Sequence, residues 1–354
     1  MFKKNMWGVI VAIICILFFV SSTEATSLFE PFLKVYGRIR PTLKVPRGRS
    51  VGHAESNLNR IFLNIDKEFG KEIFKGKFGF HTQTQYQQEG NGKYPNELWL
   101  EEGYFYFKSD FGKIKLGKIY TPFGIIWDHT FYGSIIYYKG FMLDADYGLT
   151  FERTETISKK RGIDLKWTAG YFVREDDLNG QTLIGEGYEY LNRGERNTFA
   201  LRLNPSVKIN EKSSLQLGLS GLTGEVKAPG IDRQSAVEMD AVYTLGPLTL
   251  TGEYVFYDRA YPSKDDTLKG DCFLLEANLD IYKNDKSKIL EKISLNYNYS
   301  RDNPDHGNTL GQTHLPSITF KFNKYLSTEV LYVDWSKDGV TSDRSWWMIF
   351  YVDF

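Results

Sequence analysis

The chain has 354 residues, and its 44 basic and 44 acidic side chains give a formal net charge of +0 at pH 7. This balance excludes the positive surface that nucleic-acid binding requires, and a mean hydropathy of -0.38 excludes a bundle of membrane-spanning helices. The 25 Phe, 23 Tyr and 7 Trp, together with 32 Gly, favour strands over helices.

Residues 1–25 are predicted to be a secretory signal peptide. Two lysines precede an apolar run over 7–20, which is short for a membrane-spanning helix. Cleavage is expected after Ala25, with cleavage after Ser22 or an uncleaved N-terminal anchor as the alternatives. The mature chain, 26–354, is therefore expected to be exported and to form one large domain.

The mature chain alternates apolar and polar residues with a period of two. Leu215, Leu217 and Leu219 share one face of a predicted strand, whereas Gln216 and Ser220 point to the other face. Stretches of about ten alternating residues match strands that cross a membrane at a tilt, since strands of soluble sandwiches are usually shorter. The polar faces are rich in Ser, Thr, Asn and Gln, as expected for a water-filled lumen.

This pattern predicts an all-β fold, a transmembrane antiparallel β-barrel of about sixteen strands. The predicted strands cover roughly 34–43, 58–69, 77–88, 98–109, 112–120, 146–154, 163–173, 197–209, 213–223, 236–245, 248–258, 271–283, 289–300, 313–323, 325–335 and 343–354. Long joins are expected at one end of the barrel and tight turns at the other. An even strand count lets the first and last strands meet, so that no strand edge stays unpaired in lipid.

The last strand is predicted to turn an apolar face toward lipid. Counting back from the C-terminus, the residues at alternate positions are Phe354, Val352, Phe350, Met348 and Trp346. The terminal aromatic residue also resembles the C-terminal signal that is used for outer-membrane assembly.

Several stretches resemble Gram-negative trimeric porins. Residues 101–118 are similar to the porin hairpin that precedes the constriction loop, in which an aromatic-rich strand turns at Asp-Phe-Gly and returns to Leu-Gly-Arg; here Lys118 replaces that Arg. Residues 120–124 resemble a Thr-Pro-Phe-Gly stretch of the phosphate-selective porin family, and 246–254 are similar to a late hairpin of that family. The resemblance implies a 16-stranded barrel, a homotrimer and a third outer loop that folds inward. It does not imply a substrate.

The third outer join, about 121–145, is predicted to narrow the channel. It is long for a loop and rich in aromatic residues, which favours packing against the inner wall. Its ends carry Asp128, His129, Asp144 and Asp146, which would present carboxylates to the lumen. The alternative is a loop that caps the barrel mouth or touches a neighbouring subunit.

The facing wall of the constriction is predicted to be basic. Its candidate residues are Arg38, Arg40, Arg60, His81 and Lys118. An arginine in lipid at mid-depth would cost roughly 2–4 kcal/mol, so the arginines should face water. The porin resemblance implies that Lys118 also faces the lumen, although its periodicity groups it with Leu116. The alternative is that the arginines pair with Asp66 and Glu68 in the wall.

The remaining polar strand faces supply further lumen-facing candidates. They are Asp66, Glu102, Lys166, Arg202, Glu253 and Glu276. Carboxylates that face guanidinium groups across a narrow pore would orient dipolar solutes without strong charge selection. No metal site, cofactor or catalytic group can be placed from the sequence.

The sequence therefore predicts an outer-membrane porin, a passive channel for small hydrophilic solutes and ions, and not an enzyme. Lipid, solutes and two further copies of the chain are the expected partners. One alternative is an anion- or phosphate-selective porin, in which Arg38, Arg40, Arg60 and Lys118 would cluster at the narrowest point. Another is an outer-membrane barrel enzyme, which would need Ser, His and an acid to converge, or an adhesin with longer outer loops.

Overall fold

A computed structural model describes residues 34–46, 55–69, 75–87, 97–125, 145–174, 195–228, 231–260, 267–284, 286–287, 289–304, 311–337 and 340–354. The predicted signal peptide lies outside these residues. Among the residues described, there is no helix of sufficient length and apolarity to cross a membrane.

Sixteen strands follow one another along the chain. They are β1 Lys34–Pro46, β2 Glu55–Glu68, β3 Gly76–Gln87, β4 Glu97–Ser109, β5 Gly112–Tyr120, β6 Ala145–Ser158, β7 Ile163–Arg174, β8 Glu195–Asn210, β9 Ser213–Ala228, β10 Ile231–Leu245, β11 Leu248–Ala260, β12 Thr267–Lys283, β13 Lys292–Pro304, β14 Gly311–Lys321, β15 Leu326–Lys337 and β16 Val340–Asp353.

Each strand pairs antiparallel with its neighbours in sequence, and β1 pairs with β16, so the sheet is a closed barrel. At the seam, Gly37 and Phe354 exchange two backbone hydrogen bonds of 3.0 Å. Closure gives every strand two partners and leaves no edge exposed. The prediction of a closed antiparallel barrel of about sixteen strands is confirmed.

Several strands are longer than predicted. The predicted strands left twelve residues, 224–235, between β9 and β10, whereas the two strands actually end and begin at Ala228 and Ile231. Arg233 and Glu225 are register partners in the added part. The prediction ended each strand where the apolar alternation ended, but backbone pairing continues among polar residues beyond the lipid.

The two faces of the barrel wall differ in chemistry. Large apolar side chains such as Leu217 and Met239, which are 44% and 49% exposed, share one face, and polar groups such as Ser220 and Glu238 are buried on the other. Side chains on the concave face of a closed sheet crowd together, so the buried polar face is the inner one. The apolar face points outward, as in barrels that cross a membrane.

Two apolar clusters interrupt the polar inner wall, which the alternation did not predict. The first includes Phe172, Leu222, Val255, Cys272 and Leu274 on β7 to β12. The second comprises Leu315, Leu331, Val333 and Ile349 on β14 to β16. The lumen is therefore not uniformly polar.

Substitution of Leu217 by Arg tests which face meets lipid. We expect Leu217→Arg to lower the free energy of unfolding by about 2–4 kcal/mol, because the guanidinium would enter hydrocarbon. The neighbouring change, Gln216→Arg, introduces the same side chain on the inner face and should have a much smaller effect. Denaturant titration of the protein folded in phospholipid vesicles measures both. Equal losses would contradict the assignment of the faces.

Candidate functional site in the barrel lumen

The chain turns into the barrel where β5 ends. Residues 121–125, here called the inward segment, bury Phe123 and Ile125 almost completely. Phe123 belongs to the apolar cluster that includes Leu222 of β9 and Val255 of β11. Because β11 lies six strands away from β5 around the barrel, the inward segment crosses the lumen. The described start of the third outer loop, 121–125, therefore folds inward, as predicted, and 126–144 lie outside the described residues.

Backbone hydrogen bonds anchor the inward segment to the far wall. The Gly124 N–H donates to Oγ of Ser220 at 3.1 Å, and the Ile125 N–H donates to Oε1 of Glu253 at 3.3 Å. Gly124 has φ +72°, and a Cβ at this position would lie 2.1 Å from Oε1 of Glu253. Only glycine fits both the backbone conformation and the close approach.

An acidic cluster forms the wall under the inward segment. Glu238 and Asp240 on β10 and Glu253 on β11 face inward, and Asp240 lies directly opposite Glu253 in the register. Nη1 of Arg202 lies 3.2 Å from Oε2 of Glu238, and its Nη2 lies 2.7 Å from Oδ2 of Asp240. Glu238 and Glu253 are only 0% and 3% exposed. Two of the three carboxyl groups thus share one guanidinium, and Glu253 accepts the Ile125 N–H instead.

The acidic side of the lumen continues along β12. Glu276 accepts a hydrogen bond from the Asn298 side chain at 3.3 Å. Asp280 accepts a hydrogen bond from the Ser294 hydroxyl at 2.7 Å and lies 3.0 Å from Nζ of Lys292. Each of these inner-face carboxyl groups therefore has its own hydrogen-bond or ion-pair partner in the barrel wall.

The predicted basic residues of β1 and β2 lie on the inner side of the register. Nε of Arg38 lies 2.5 Å from Oδ1 of Asp353, across the seam between β1 and β16. Arg40 faces inward above the Phe62 ring, 5.9 Å from its centroid. The backbone of Arg60 lies opposite Arg40 in the register; its side chain is outside the described part.

The carboxylates expected to neutralise the arginines have other partners. Oδ1 of Asp66 lies 2.6 Å from Nδ1 of His81, and Oε1 of Glu68 lies 2.7 Å from Nζ of Lys77. His81 also approaches Glu102, with 3.7 Å between Nε2 and Oε2. The sequence did not suggest Asp353 as the partner of Arg38, because the two residues become neighbours only when the barrel closes.

Lys118 lies on the outer face of the barrel, whereas the porin resemblance implied that it faces the lumen. It pairs in register with Tyr147 and shares the outer face of β5 with Leu116. Its Nζ donates to the Leu100 carbonyl oxygen at 2.8 Å. The lysines of β5 that face the lumen are Lys113 and Lys115, which the sequence interpretation missed although their alternation with apolar residues signals them.

The other predicted residues lie at separate points of the lumen. Asp146 is buried on the inner face at the start of β6. Lys166 on β7 pairs with Glu152, with 2.9 Å between Nζ and Oε2. Asp128, His129 and Asp144 lie outside the described residues. No group of three or more potential metal ligands occurs in the part of the chain that the structure describes.

The strand order places the basic wall and the acidic cluster on opposite sides of the barrel. In the closed order, β2 lies eight strands from β10, which is the opposite side of a sixteen-strand barrel. Arg38 and Arg40 on β1, the strand beside β2, therefore face the acidic cluster on β10 and β11 across the lumen. The inward segment attaches to the acidic side.

These features define a 16-strand outer-membrane porin-type fold. The chain is similar to the solved structure of the in-vitro folded, trimeric outer membrane protein OmpT of Vibrio cholerae, with 13% identity over 91% of this chain and 99% of that chain and a TM-score of 0.64. It is also similar to Salmonella typhi OmpF in complex with daunomycin, with 13% identity, coverage of 91% and 97%, and a TM-score of 0.60.

A third similar structure is the outer membrane channel DcaP of Acinetobacter baumannii, with 9% identity, coverage of 92% and 98%, and a TM-score of 0.58. At such identities the likeness concerns the fold. No family model matches the chain, and comparison with curated protein sequences gives no match.

A methyl group at Gly124 tests whether the inward segment narrows the channel. We expect Gly124→Ala to displace the segment from Glu253 and to raise the single-channel conductance in planar bilayers. Gly246, in the turn between β10 and β11, has φ +55° and nothing within 4 Å of a built Cβ. Gly246→Ala therefore imposes a similar backbone cost, roughly 1–2 kcal/mol, without the collision. Equal conductance in the two variants would contradict the anchoring role.

Proposed function

We propose that this chain forms a water-filled outer-membrane channel for passive diffusion of small hydrophilic solutes and ions. The observation that carries the proposal is the inward segment, which spans the lumen of a closed barrel and is anchored by Ser220 and Glu253. A constriction of this kind limits solute size while water still fills the barrel on either side.

Charge placement supports weak selectivity. The acidic cluster on β10 and β11 faces Arg38 and Arg40 of β1, so a solute in the constriction experiences a transverse field. Such a field favours dipolar solutes over apolar ones. It disfavours neither sign of ion strongly, because both signs line the lumen.

We further propose that the channel is not an enzyme. Among the described residues, His81 lies on the inner face and contacts two carboxylates, those of Asp66 and Glu102. A hydrolytic centre needs a nucleophile beside its base, and the ion pairs of His81 engage both of its ring nitrogens. An adhesin function has no supporting feature among the described residues.

Assembly and location belong to the same proposal. A cleaved signal peptide over 1–25 would export the chain, which would then reside in the outer membrane of a Gram-negative cell. Lipid would surround the apolar outer face of the barrel there. The similar OmpT structure is a trimer form, which supports a homotrimer. The remaining residues, 26–354, would form one barrel per subunit.

Planar bilayer recordings test the channel function. We expect an ohmic single-channel current that grows in proportion to KCl concentration, because ions cross a water-filled lumen. The reversal potential in a salt gradient should be small and should shrink at high salt, since the Debye length falls from about 10 Å at 0.1 M to about 3 Å at 1 M. A folded protein that inserts and carries no current would reject the proposal.

A further inference from the structure

Four lysines gather on the inner wall near the tight-turn end of β3 to β5. Lys77 lies opposite Lys108 in the register, and Lys108 lies opposite Lys113. Lys115 follows two residues later on the same face of β5. We call Lys77, Lys108, Lys113 and Lys115 the lysine row.

Only one lysine of the row forms an ion pair with a carboxylate in the described part of the chain. Lys77 pairs with Glu68 at 2.7 Å. Glu152 lies opposite Lys113 in the register, but its ion pair is with Lys166 at 2.9 Å. Within the described residues, no ion pair joins Lys108, Lys113 or Lys115 to a carboxylate. Like charges directly opposite each other in a sheet are destabilising. Repulsion between these lysines therefore lowers the stability of this part of the wall.

The same barrel neutralises a matching lysine pair elsewhere. Lys292 and Lys321 lie opposite each other on β13 and β14, also on the inner face near the tight-turn end. Nζ of Lys292 lies 3.0 Å from Asp280, and Nζ of Lys321 lies 3.1 Å from Glu291. The lack of an ion pair at Lys108 and Lys113 is thus a local feature of the lysine row, within the described residues.

Tyrosine rings support the ammonium groups of the row. Nζ of Lys113 lies 4.5 Å from the Tyr106 ring centroid, and Nζ of Lys115 lies 4.9 Å from that of Tyr104. Contact with a ring face holds a cation in place without neutralising its charge. The ammonium groups of Lys113 and Lys115 are therefore positioned and still available to an anion.

We propose that the lysine row is a binding site for small solutes that carry two or more carboxylate or phosphate groups. Ammonium groups are hydrogen-bond donors that match such oxygens. Neighbouring strands are about 4.8 Å apart, so the charges of Lys108 and Lys113 suit a solute with several anionic groups better than chloride. The site rests on the proposed channel function for access, because it lies within the lumen.

Calorimetric titration with citrate tests the site on the full chain folded in detergent at low salt. The double variant Lys108→Gln with Lys113→Gln should bind citrate about tenfold or more weakly than the unmodified chain, because it loses two charge-assisted contacts. The control, Lys292→Gln with Lys321→Gln, removes the same number of inner-face lysines and should keep the unmodified affinity. Circular dichroism checks that both variants fold.

The outcomes separate the site from general electrostatics. Equal losses in the two double variants would mean that net charge alone attracts citrate, and this would overturn the proposal. A parallel titration with pyrophosphate identifies which polyanion binds more tightly, and binding of either one that depends on Lys108 and Lys113 supports the site. Binding of neither citrate nor pyrophosphate by the folded, unmodified chain would overturn the proposal as well.

Bilayer recordings distinguish failure of the site from failure of the channel. A chain that conducts KCl but binds neither citrate nor pyrophosphate retains the proposed function and loses the anion site. A chain that binds citrate through Lys108 and Lys113 but carries no current retains the site and rejects the channel. If both proposals hold, citrate added at the tight-turn side should reduce the KCl current, and the Lys108→Gln, Lys113→Gln variant should relieve the reduction.

Discussion

Backbone hydrogen bonding in lipid is the constraint on which the whole molecule depends. Hydrocarbon offers no partner for an N–H or C=O group, so a sheet that crosses a membrane must pair every strand edge. The pairing of β1 with β16 meets this requirement. It also brings Arg38 beside Asp353. This ion pair of the lumen wall can therefore form only when the barrel closes.

The curvature of the barrel then gives its inner and outer side chains different surroundings. Outer side chains splay apart and inner ones crowd, so polar groups on the inside must find partners within the wall, as Glu276 does with Asn298. The inner apolar clusters serve a different purpose. The cluster around Phe123 gives the inward segment a surface to pack on, while Glu253 fixes its height in the lumen.

Period-two alternation was sufficient to predict the strands, the tight turns and the inner position of residues such as Arg202 and Glu253. It also groups Lys118 with Leu116, and the register places both on the outer face, whereas the family resemblance implied a lumen position for Lys118. It could not predict the Arg38–Asp353 pair or the inner position of Phe123, because alternation describes one strand at a time. Contacts between distant strands depend on stagger and closure, which no local pattern contains.

The two hydrogen bonds that hold the inward segment on the far wall are donated by the main chain of Gly124 and Ile125. These bonds fix the backbone without using a side chain of the inward segment. Substitutions beyond residue 125 would therefore change the side chains of the loop and leave in place the two backbone donors that bind Ser220 on β9 and Glu253 on β11.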